Sequence, residues 1–397
     1  MFRLYNSLTQ TKKKFSPLNP DRVLMYVCGV TPYDTTHIGH AFTYMVFDVL
    51  KRFLEFKGYR VVYTQNVTDI DDDILSRAKK DNQNWKELGK FWTNKFLSDL
   101  KSLNIKMPTY YVKATDSITT MIKMIQKLVK EGFAYKRRGQ VYFRVNRFNR
   151  YRQLSKLTKE QMKVISKERG ASPDDPLKED PLDFLLWSKS LADEPYWDSP
   201  WGKGRPGWHI ECSAMILEYL GEQIDIHGGG HDLIYPHHES EVAQSEVYTK
   251  KVPFVKYWLH TSMLLYQGKK MSKSLGNLIM VSNLLKRYSP NSIRYLFLSH
   301  HYRQPWEFVE SALTEAEERV KLIRALLSDQ SFQNPGLDRQ SLKTFTKALD
   351  DDLNTPKVTW LIDRLVFKIQ KEMDIKKKAI YQNTLRTLLR ILGFSNL

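Results

Sequence analysis

The side chains best suited to chemistry lie in the segment Cys28–His40, which contains His37, Gly39 and His40 in the order His-Ile-Gly-His. An apolar run before this segment predicts a buried strand, and apolar residues spaced by three and four after it predict a helix. The loop between them would lie at the carboxyl end of a strand and at a helix N-terminus, where backbone N–H groups favour an anion such as a phosphate. Gly39 would let a flat base or a phosphate approach the backbone. A surface loop without a function is the simpler explanation when the segment is considered alone.

A second group of side chains has the types that bind a transition metal. It consists of two thiols, an imidazole and a carboxylate: Cys28, Cys212, His237 and Glu241. Each lies at the end of a predicted strand or at the helix start after one, and His237 and Glu241, four residues apart, share a helix face. This ligand set suits Zn²⁺. Two cysteines buried as small apolar residues explain the same pattern more simply, because no Cys-x-x-Cys pair is present.

An acidic run follows the second predicted strand and holds four carboxylates within five residues, Asp69 to Asp73. These carboxylates could bind a cation, or they could cap the following helix and interact favourably with its dipole. Capping is the simpler explanation. Thr68 precedes the run and would lie where this strand ends, beside the loop that carries His37.

Composition and charge limit the classes of function. The chain has 397 residues, of which 42% are hydrophobic, so two or three domains with sizeable cores are expected. Of the formal net charge of +18, most comes from residues 101–169, which hold 18 Lys or Arg against 4 Asp or Glu. A generally lysine-rich surface would spread the charge evenly, so this concentration indicates a polyanionic partner. The absence of a membrane-spanning apolar run and of a signal peptide, with only two cysteines, predicts a cytoplasmic protein with reduced thiols.

The order of the predicted elements indicates a split α/β fold. A βαβ unit between Val23 and Thr64 is resumed after Gly207, with a buried strand at 223–227. Between the halves, residues 139–145 predict a hairpin, and the stretch 167–206, rich in Pro, Asp and Gly, predicts loop-rich connecting structure. The pattern is helical from Pro290 onward. The predicted divisions are 1–110 (first half), 111–206 (basic insertion), 207–255 (second half), 256–300 (with Lys270-Met271-Ser272-Lys273-Ser274) and 301–397 (helical bundle).

The chain resembles the class I aminoacyl-tRNA synthetases, whose two signatures are HIGH, here at 37–40, and KMSKS, here at 270–274. The segments YVCG, QNVTDIDDDI, GRPGWHIECSAM and DIHGGGHDLIYPHHESE, which begin at residues 26, 65, 204 and 225, are similar to cysteinyl-tRNA synthetases in particular. The match is collinear from about residue 2 to 395. The resemblance implies a Rossmann-like parallel sheet with a connective insertion, followed by an all-α C-terminal helical bundle. Residues 256–300 would form the KMSKS and stem-contact region.

The resemblance also implies the reaction and its residues. The activity would be ATP-dependent formation of cysteinyl-adenylate from L-cysteine and transfer to tRNA(Cys), by a monomer with one Zn²⁺ and with Mg²⁺ on the phosphates. The four metal-type side chains would hold the zinc, which would bind the substrate thiol. The backbone groups of the amino acid would be held by Gly29, Thr68 and Trp208. ATP would contact His37, Gly39 and His40, a turn of Gly228, Gly229 and Gly230, then Asp232, Lys270 and Lys273, with His37, His40, Lys270 and Lys273 as the catalytic residues.

Some features depart from that family. His40 and Phe42-Thr43 stand where the family more often has Asn and a nearby Arg, and the sequence ends at Leu397, where typical members continue into a small anticodon-reading domain. These traits resemble a sister enzyme, the cysteine ligase of mycothiol biosynthesis, which passes the adenylate to the amine of a glucosaminyl-inositol. Glu241 and the basic insertion favour the synthetase, because that ligase has no acid at this position and a small neutral acceptor needs no basic surface. A catalytically inactive paralogue that only binds RNA is a third hypothesis, and the intact motifs argue against it.

Overall fold

The computed structural model describes residues 1–34, 36–271, 275–328 and 335–397, and its central element is a parallel five-stranded sheet. Within these residues the strands are β1 Arg3–Asn6, β2 Thr11–Lys14, β3 Arg22–Val30, β4 Arg60–Val67, β5 Tyr110–Lys113, β6 Ala134–Arg137, β7 Gln140–Phe143, β8 Phe184–Lys189, β9 Gly204–Pro206, β10 Ile224–Gly230, β11 Val255–Thr261, β12 Leu264–Tyr266, β13 Lys269–Lys270 and β14 Trp306–Glu307. The helices are α1 Ile38–Phe56, α2 Asp72–Lys80, α3 Trp85–Ser102, α4 Ile118–Lys130, α5 Lys159–Glu168, α6 Trp208–Tyr219, α7 Glu239–Thr249, α8 Val281–Leu284, α9 Pro290–Leu298, α10 Glu310–Leu327, α11 Arg339–Asp350, α12 Thr355–Lys371 and α13 Ile375–Ile391.

The predicted βαβ unit is formed by β3, α1 and β4. The two strands pair in parallel from Arg22 opposite Arg60 to Val30 opposite Val67, with an irregularity between Val27 and Val30. Helix α1 buries an apolar face that includes Phe42, and the chain leaves it through Gly58 at a φ of +95°, a conformation that glycine adopts at little cost.

The strand order places a crevice at the carboxyl ends of β3 and β10. The sheet runs β11-β10-β3-β4-β5, so the chain proceeds from β3 outward in one direction and from β10 outward in the other. Open parallel sheets bind their ligands at such a switch point, because the loops that leave the two central strands diverge there. Cys28 lies near the end of β3, and His227 lies in the middle of β10.

The prediction of loop-rich connecting structure at 167–206 holds for most of this stretch, but it omits two short strands. Strands β8 and β9 lie in this stretch and complete an antiparallel sheet in the order β6-β7-β8-β9. Trp187 of β8 is fully buried and its ring lies 5.8 Å from that of Trp201. The Pro- and Gly-rich sequence lies in the connections before and after β8. The hairpin predicted at 139–145 is only partly right, because only its second strand lies there: the hairpin consists of β6 and β7, joined through Arg138 and Gly139, both at positive φ.

The parallel sheet extends past two of the predicted divisions. Its edge strand β5 continues to Lys113, beyond 110, and its other edge strand β11 spans Val255–Thr261, beyond 255. The second half of the sheet therefore reaches the start of the segment that carries Lys270.

The C-terminal residues form the predicted helical region, with α10 to α13 following α9. A buried ion pair joins this region to the sheet domain: Arg294 of α9 donates to Asp48 of α1 at 2.8 Å and to the carbonyl oxygen of Leu392 at 2.8 Å. Because both charged groups are almost fully buried, each needs the other in place. Within the described ranges, no helix is both long enough and apolar enough to cross a bilayer.

Candidate metal centre and active site

The four metal-type side chains lie together at the carboxyl end of the central sheet, although up to 213 residues separate them in sequence. Cys28 comes from β3, Cys212 from α6 and Glu241 from α7, while His237 lies in the turn that leads into α7. One donor atom from each side chain lies within 4.8 Å of all the others, and all four side chains are buried. The group could therefore hold a metal ion.

The separations between donor atoms fit tetrahedral coordination. With metal–sulfur bonds of about 2.3 Å, two sulfurs of a tetrahedron lie ~3.8 Å apart. The Sγ atoms of Cys28 and Cys212 are 3.7 Å apart, much farther than the ~2.05 Å of a disulfide. His237 Nε2 lies 3.4 Å from Cys212 Sγ and 3.1 Å from Glu241 Oε1. Two sulfurs, a nitrogen and an oxygen at these separations are a donor set that suits Zn²⁺.

Burial also sets the protonation states of these side chains. It raises the pKa of Cys28 well above its usual value, with a further contribution from the hydrogen bond to Cys212, and it raises the pKa of Glu241 in the same direction. Burial lowers the pKa of His237 well below its usual value, so its imidazole is neutral, as coordination requires. A divalent cation among them would favour the thiolates and the carboxylate.

A second group of buried histidines surrounds the tetrad. His238 Nε2 lies 3.2 Å from Cys28 Sγ, and His227 Nε2 lies 3.0 Å from Glu241 Oε2. These two histidines, with Cys28 and Glu241, form a second set of donors within 4.8 Å of one another. His238 Nδ1 in turn lies 2.8 Å from His260 Nε2. Cys28 and Glu241 are therefore shared by two overlapping groups.

Two of the residues predicted to hold the amino acid lie against the tetrad. The N–H of Gly29 donates to Asn66 Oδ1 at 2.7 Å, and a Cβ atom on Gly29 would lie 1.6 Å from the carbonyl oxygen of Asn66, so only glycine fits there. The ring of Trp208 stacks on that of His237, with centroids 4.4 Å apart. Thr68, the third, lies at the end of β4 and donates its hydroxyl to Glu211 at 2.8 Å.

The HIGH segment forms the N-terminus of α1. The N–H of Gly39 donates to His37 Nδ1 at 3.1 Å, which makes His37 the N-cap, and the ring of His37 stacks on that of His40 with centroids 3.7 Å apart. A Cβ atom on Gly39 would lie 2.9 Å from the His37 ring and 3.6 Å from the side chain of Met271. Met271 of the second signature therefore lies beside the first, and the N–H of Ile38 donates to the carbonyl oxygen of Ile279.

The predicted glycine turn is wrong in its local structure. Gly228, Gly229 and Gly230 are the last three residues of β10, paired with Leu259 to Thr261 of β11. A Cβ atom on Gly228 would lie 2.1 Å from the ring of Phe47 of α1, and one on Gly230 would lie 2.7 Å from Asp232 Oδ1. At Gly228, the absence of a side chain is thus required by the close packing of α1 on the sheet.

Asp232 and Lys270 face each other across an open cleft. Lys270 Nζ lies 3.5 Å from Asp232 Oδ2, and a guanidinium nitrogen of Arg169 lies 3.3 Å from the same oxygen. Both acidic and basic groups line a cavity of about 510 Å³. Gly268 and Gly276, on either side of the KMSKS segment, have positive φ values of +69° and +63°. Lys273 lies outside the described residues.

The acidic run caps a helix, as the simpler explanation predicts. Asp71 is the N-cap of α2 and accepts the N–H of Asp73 at 2.9 Å. Asp69 accepts both the N–H and the hydroxyl of Thr115, and Asp72 pairs with Arg205. Three of the four carboxylates, those of Asp69, Asp71 and Asp72, therefore have separate partners.

Comparison with known proteins identifies the family. A family model described as tRNA synthetases class I (C) catalytic domain matches residues 14–318, and a DALR domain model matches residues 344–396. A cysteine–tRNA ligase of Thermodesulfovibrio yellowstonii is 44% identical over 394 residues, which cover 94% of this chain and 80% of the relative. A cysteine–tRNA ligase of Thermococcus onnurineus is 41% identical and covers 95% and 83%. This chain belongs to the cysteine–tRNA ligase family.

The fold of this cysteine–tRNA ligase family member agrees with solved class I synthetases. The methionyl-tRNA synthetase of Mycobacterium tuberculosis in complex with methionyl-adenylate superposes with a TM-score of 0.64 at 14% identity, covering 94% of this chain and 89% of that chain. A leucyl enzyme of Agrobacterium radiobacter K84 in complex with tRNA gives 0.68 at 10% identity, with 96% and 84% covered. At such identities the likeness concerns the fold. The predicted α/β class with a helical C-terminal region is confirmed.

Sequence reasoning about this family member missed several residues of the site. His227, His238 and Glu211 belong to the buried network around the tetrad but are absent from the predicted set. A signal was available for His238, which adjoins His237. In the sequence, nothing distinguishes His227 from an ordinary residue of a buried strand. Arg169 lies in the insertion, far from any motif, so no sequence pattern indicates it. Relatives named as tRNA ligases do not favour the amino-sugar ligase as an alternative function.

Proposed function

We propose that this chain activates L-cysteine with ATP to give cysteinyl-adenylate and pyrophosphate, and then transfers the cysteinyl group to tRNA(Cys) with release of AMP. The observation that carries the proposal is the convergence of Cys28, Cys212, His237 and Glu241 into one buried group at the end of β3, the strand that leads to α1. Membership of the cysteine–tRNA ligase family supports the same reaction.

The metal centre would provide selectivity for the thiol of the substrate. Cys28, Cys212, His237 and Glu241 would hold Zn²⁺, which when bound supplies a Lewis acid with a strong preference for sulfur over a hydroxyl oxygen. An apolar pocket separates similar small side chains by only ~1–3 kcal/mol, which is too little for faithful discrimination against serine. Gly29, Thr68 and Trp208 would orient the backbone groups of the amino acid.

The activation step needs positioning and charge stabilisation. A carboxylate oxygen of cysteine attacks the α-phosphorus of ATP, and the bond from that phosphorus to the bridging oxygen of pyrophosphate breaks. His37, Gly39 and His40 at the start of α1, together with Gly228, Gly229, Gly230 and Asp232, would bind ATP with its Mg²⁺. Lys270 and Lys273 would stabilise the charge that develops on the leaving pyrophosphate.

The insertion would bind the acceptor end of the tRNA. Sixteen of the 18 basic side chains at 101–169 are exposed, which is the arrangement that attracts a phosphate backbone. We also propose that the protein is a monomer and is located in the cytoplasm.

Cysteine-dependent exchange of pyrophosphate into ATP tests the first step, with serine in parallel as the competing substrate. We expect exchange with cysteine and none with serine. Adding tRNA or glucosaminyl-inositol to the enzyme with its adenylate tests the second step, and we expect AMP release and cysteinylation with tRNA. Cysteinylated amino sugar and uncharged tRNA would contradict the proposal.

A comparison of Lys270 with its neighbour Lys269 separates a specific role of Lys270 from a general effect of positive charge. Lys270→Met should lower the exchange rate by about 100-fold, because the pyrophosphate loses a charged donor. Lys269→Met removes the same charge from the same short strand and should change the rate less than about threefold. Equal losses in the two variants would contradict a specific role for Lys270.

A further inference from the structure

Glu211 carries a buried carboxylate that the metal centre does not use. The residue is 1% exposed and precedes Cys212 on α6. Its Oε2 atom accepts the hydroxyl of Thr68 at 2.8 Å. In the parts of the chain that the structure describes, no nitrogen of a Lys, Arg or His side chain lies within 4.0 Å of this carboxylate. The ionised form of a carboxylate buried in this way is stabilised only by a counter-charge, which a cationic ligand would supply.

A chain of hydrogen bonds connects Glu211 to the residue beside the first sulfur ligand. Asn66 Nδ2 lies 3.4 Å from Thr68 Oγ1, and Asn66 Oδ1 accepts the N–H of Gly29 at 2.7 Å. Thr68 has only one hydroxyl proton, which it donates to Glu211, so its oxygen can serve a ligand only as an acceptor. Glu211 and Thr68 therefore offer a ligand hydrogen-bond acceptors and no donor. This arrangement suits a cationic group that donates hydrogen bonds.

The neighbouring acids are already engaged by the protein. Asp69 accepts two hydrogen bonds from Thr115, and Asp71 caps α2. Their charges make this side of the crevice negative, while Glu211 differs from them in having no partner beyond Thr68 among the described side chains.

We propose that Glu211 supplies the counter-charge for the α-ammonium group of the bound amino acid, with Thr68 as the second acceptor. This inference rests on the proposed function, in which cysteine is the substrate. The thiol and the ammonium group of cysteine are on adjacent carbon atoms, so its pocket needs a metal and an anion only a few ångströms apart. Glu211 accepts from Thr68, which is linked through Asn66 to Gly29, the neighbour of Cys28, so these hydrogen bonds place the anion beside the sulfur ligands.

The proposed ion pair between Glu211 and the α-ammonium group is tested by two changes. One removes the charge of Glu211, and the other removes the amine from the ligand. Glu211→Gln keeps the size of the side chain and should raise the KM for cysteine in pyrophosphate exchange about 10- to 100-fold, with the KM for ATP unchanged. Inhibition of the exchange by 3-mercaptopropionic acid, which has the thiol and the carboxylate of cysteine but no amine, should change less than about threefold. The selectivity for cysteine over this analogue should therefore fall by the same 10- to 100-fold.

Matched controls separate this role from damage to the fold or to the metal centre. Glu246→Gln changes another buried glutamate, which accepts the N–H of Phe254 and pairs with Arg150, and should leave both ligands unaffected. Zinc content should stay at the wild-type value in both variants. If Glu211→Gln loses zinc or does not fold, Thr68→Val replaces it with the same expected change in selectivity.

The outcomes distinguish this inference from the proposed function. Absence of cysteine-dependent exchange in the wild type would overturn the proposed function. Normal wild-type exchange, with equal losses for cysteine and 3-mercaptopropionic acid in the variant or with an unchanged KM for cysteine, would overturn only the role of Glu211.

Discussion

Two groups of metal-type side chains behave in opposite ways in this protein. The tetrad of Cys28, Cys212, His237 and Glu241 spans most of the sheet domain in sequence, yet its donor atoms lie within 4.8 Å of one another. The acidic run from Asp69 to Asp73 occupies five consecutive positions, yet its carboxylates bind Thr115, the N-terminus of α2 and Arg205 separately.

The difference follows from backbone geometry. Consecutive side chains at a strand end or a helix start point in different directions, so their functional groups lie apart although the residues are neighbours in sequence. Ends of neighbouring parallel strands, by contrast, share one edge of a sheet whatever their separation in the chain. Closeness in sequence is therefore weaker evidence for a metal site in this fold than position at a strand end.

Loss of one sulfur from the tetrad should give the largest effect. Cys212→Ser replaces a soft ligand by a hydroxyl, so we expect zinc to fall from one per chain to below about 0.1 and cysteine-dependent exchange to fall at least about 100-fold. Metal analysis of the purified protein and the exchange assay measure the two quantities.

A variant in the acidic run is the control for that experiment. Asp71→Asn removes a carboxylate and should leave zinc at one per chain. Loss of zinc in Asp71→Asn, or unchanged zinc in Cys212→Ser, would contradict the conclusion that the tetrad binds the metal and the acidic run does not.

Removal of the metal from the wild type should have the next largest effect. Two thiols and a carboxylate would then remain buried without a cation, so we expect the free energy of unfolding to fall by a few kcal/mol and the melting temperature by several degrees. Thermal unfolding with and without a zinc chelator measures the change, and added Zn²⁺ should restore the original value. An unchanged melting temperature after verified zinc removal would show that the tetrad is stable as a set of neutral groups.

Much of the fold follows from local pattern. The alternation of strand and helix between Val23 and Thr64 predicts β3, α1 and β4, and the resumed pattern predicts the second half of the sheet. Spacing of apolar residues likewise predicts helices such as α3 and α10. These elements are long and amphipathic, so their own periodicity identifies them.

The errors lie where pairing is non-local or packing is tight. Strand β8 at 184–189 pairs with β7, some 40 residues earlier, and a short strand between Pro- and Gly-rich segments has no periodicity of its own to reveal it. Gly228 predicts a turn because glycine favours one, whereas its actual requirement is the ring of Phe47. In the site, strand ends suggest the four tetrad side chains as a set, but the family resemblance is what favours zinc over buried cysteines. The role of Glu211 depends on Thr68, which follows β4 and is distant in sequence.

A smaller effect is expected from the helix cap in the acidic run. Asp71→Ala removes the acceptor for the N–H of Asp73 and should lower the stability of α2 by about 1 kcal/mol. Hydrogen exchange of the amides in α2 measures this loss, and Asp71→Asn, which retains a cap, should recover most of it. Equal protection in the Ala and wild-type proteins would show that packing alone holds the helix start.

The smallest effect should come from Asp72, whose side chain is 76% exposed and pairs with Arg205. An exposed ion pair gains little in water and is screened by salt, so Asp72→Asn should lower the free energy of unfolding by no more than about 0.5 kcal/mol, and less at high salt. Denaturant unfolding at low and high ionic strength measures the difference. A loss of several kcal/mol, or any loss of zinc, would mean that the acidic run acts as a unit with the metal centre, because a solvated pair alone cannot produce either result.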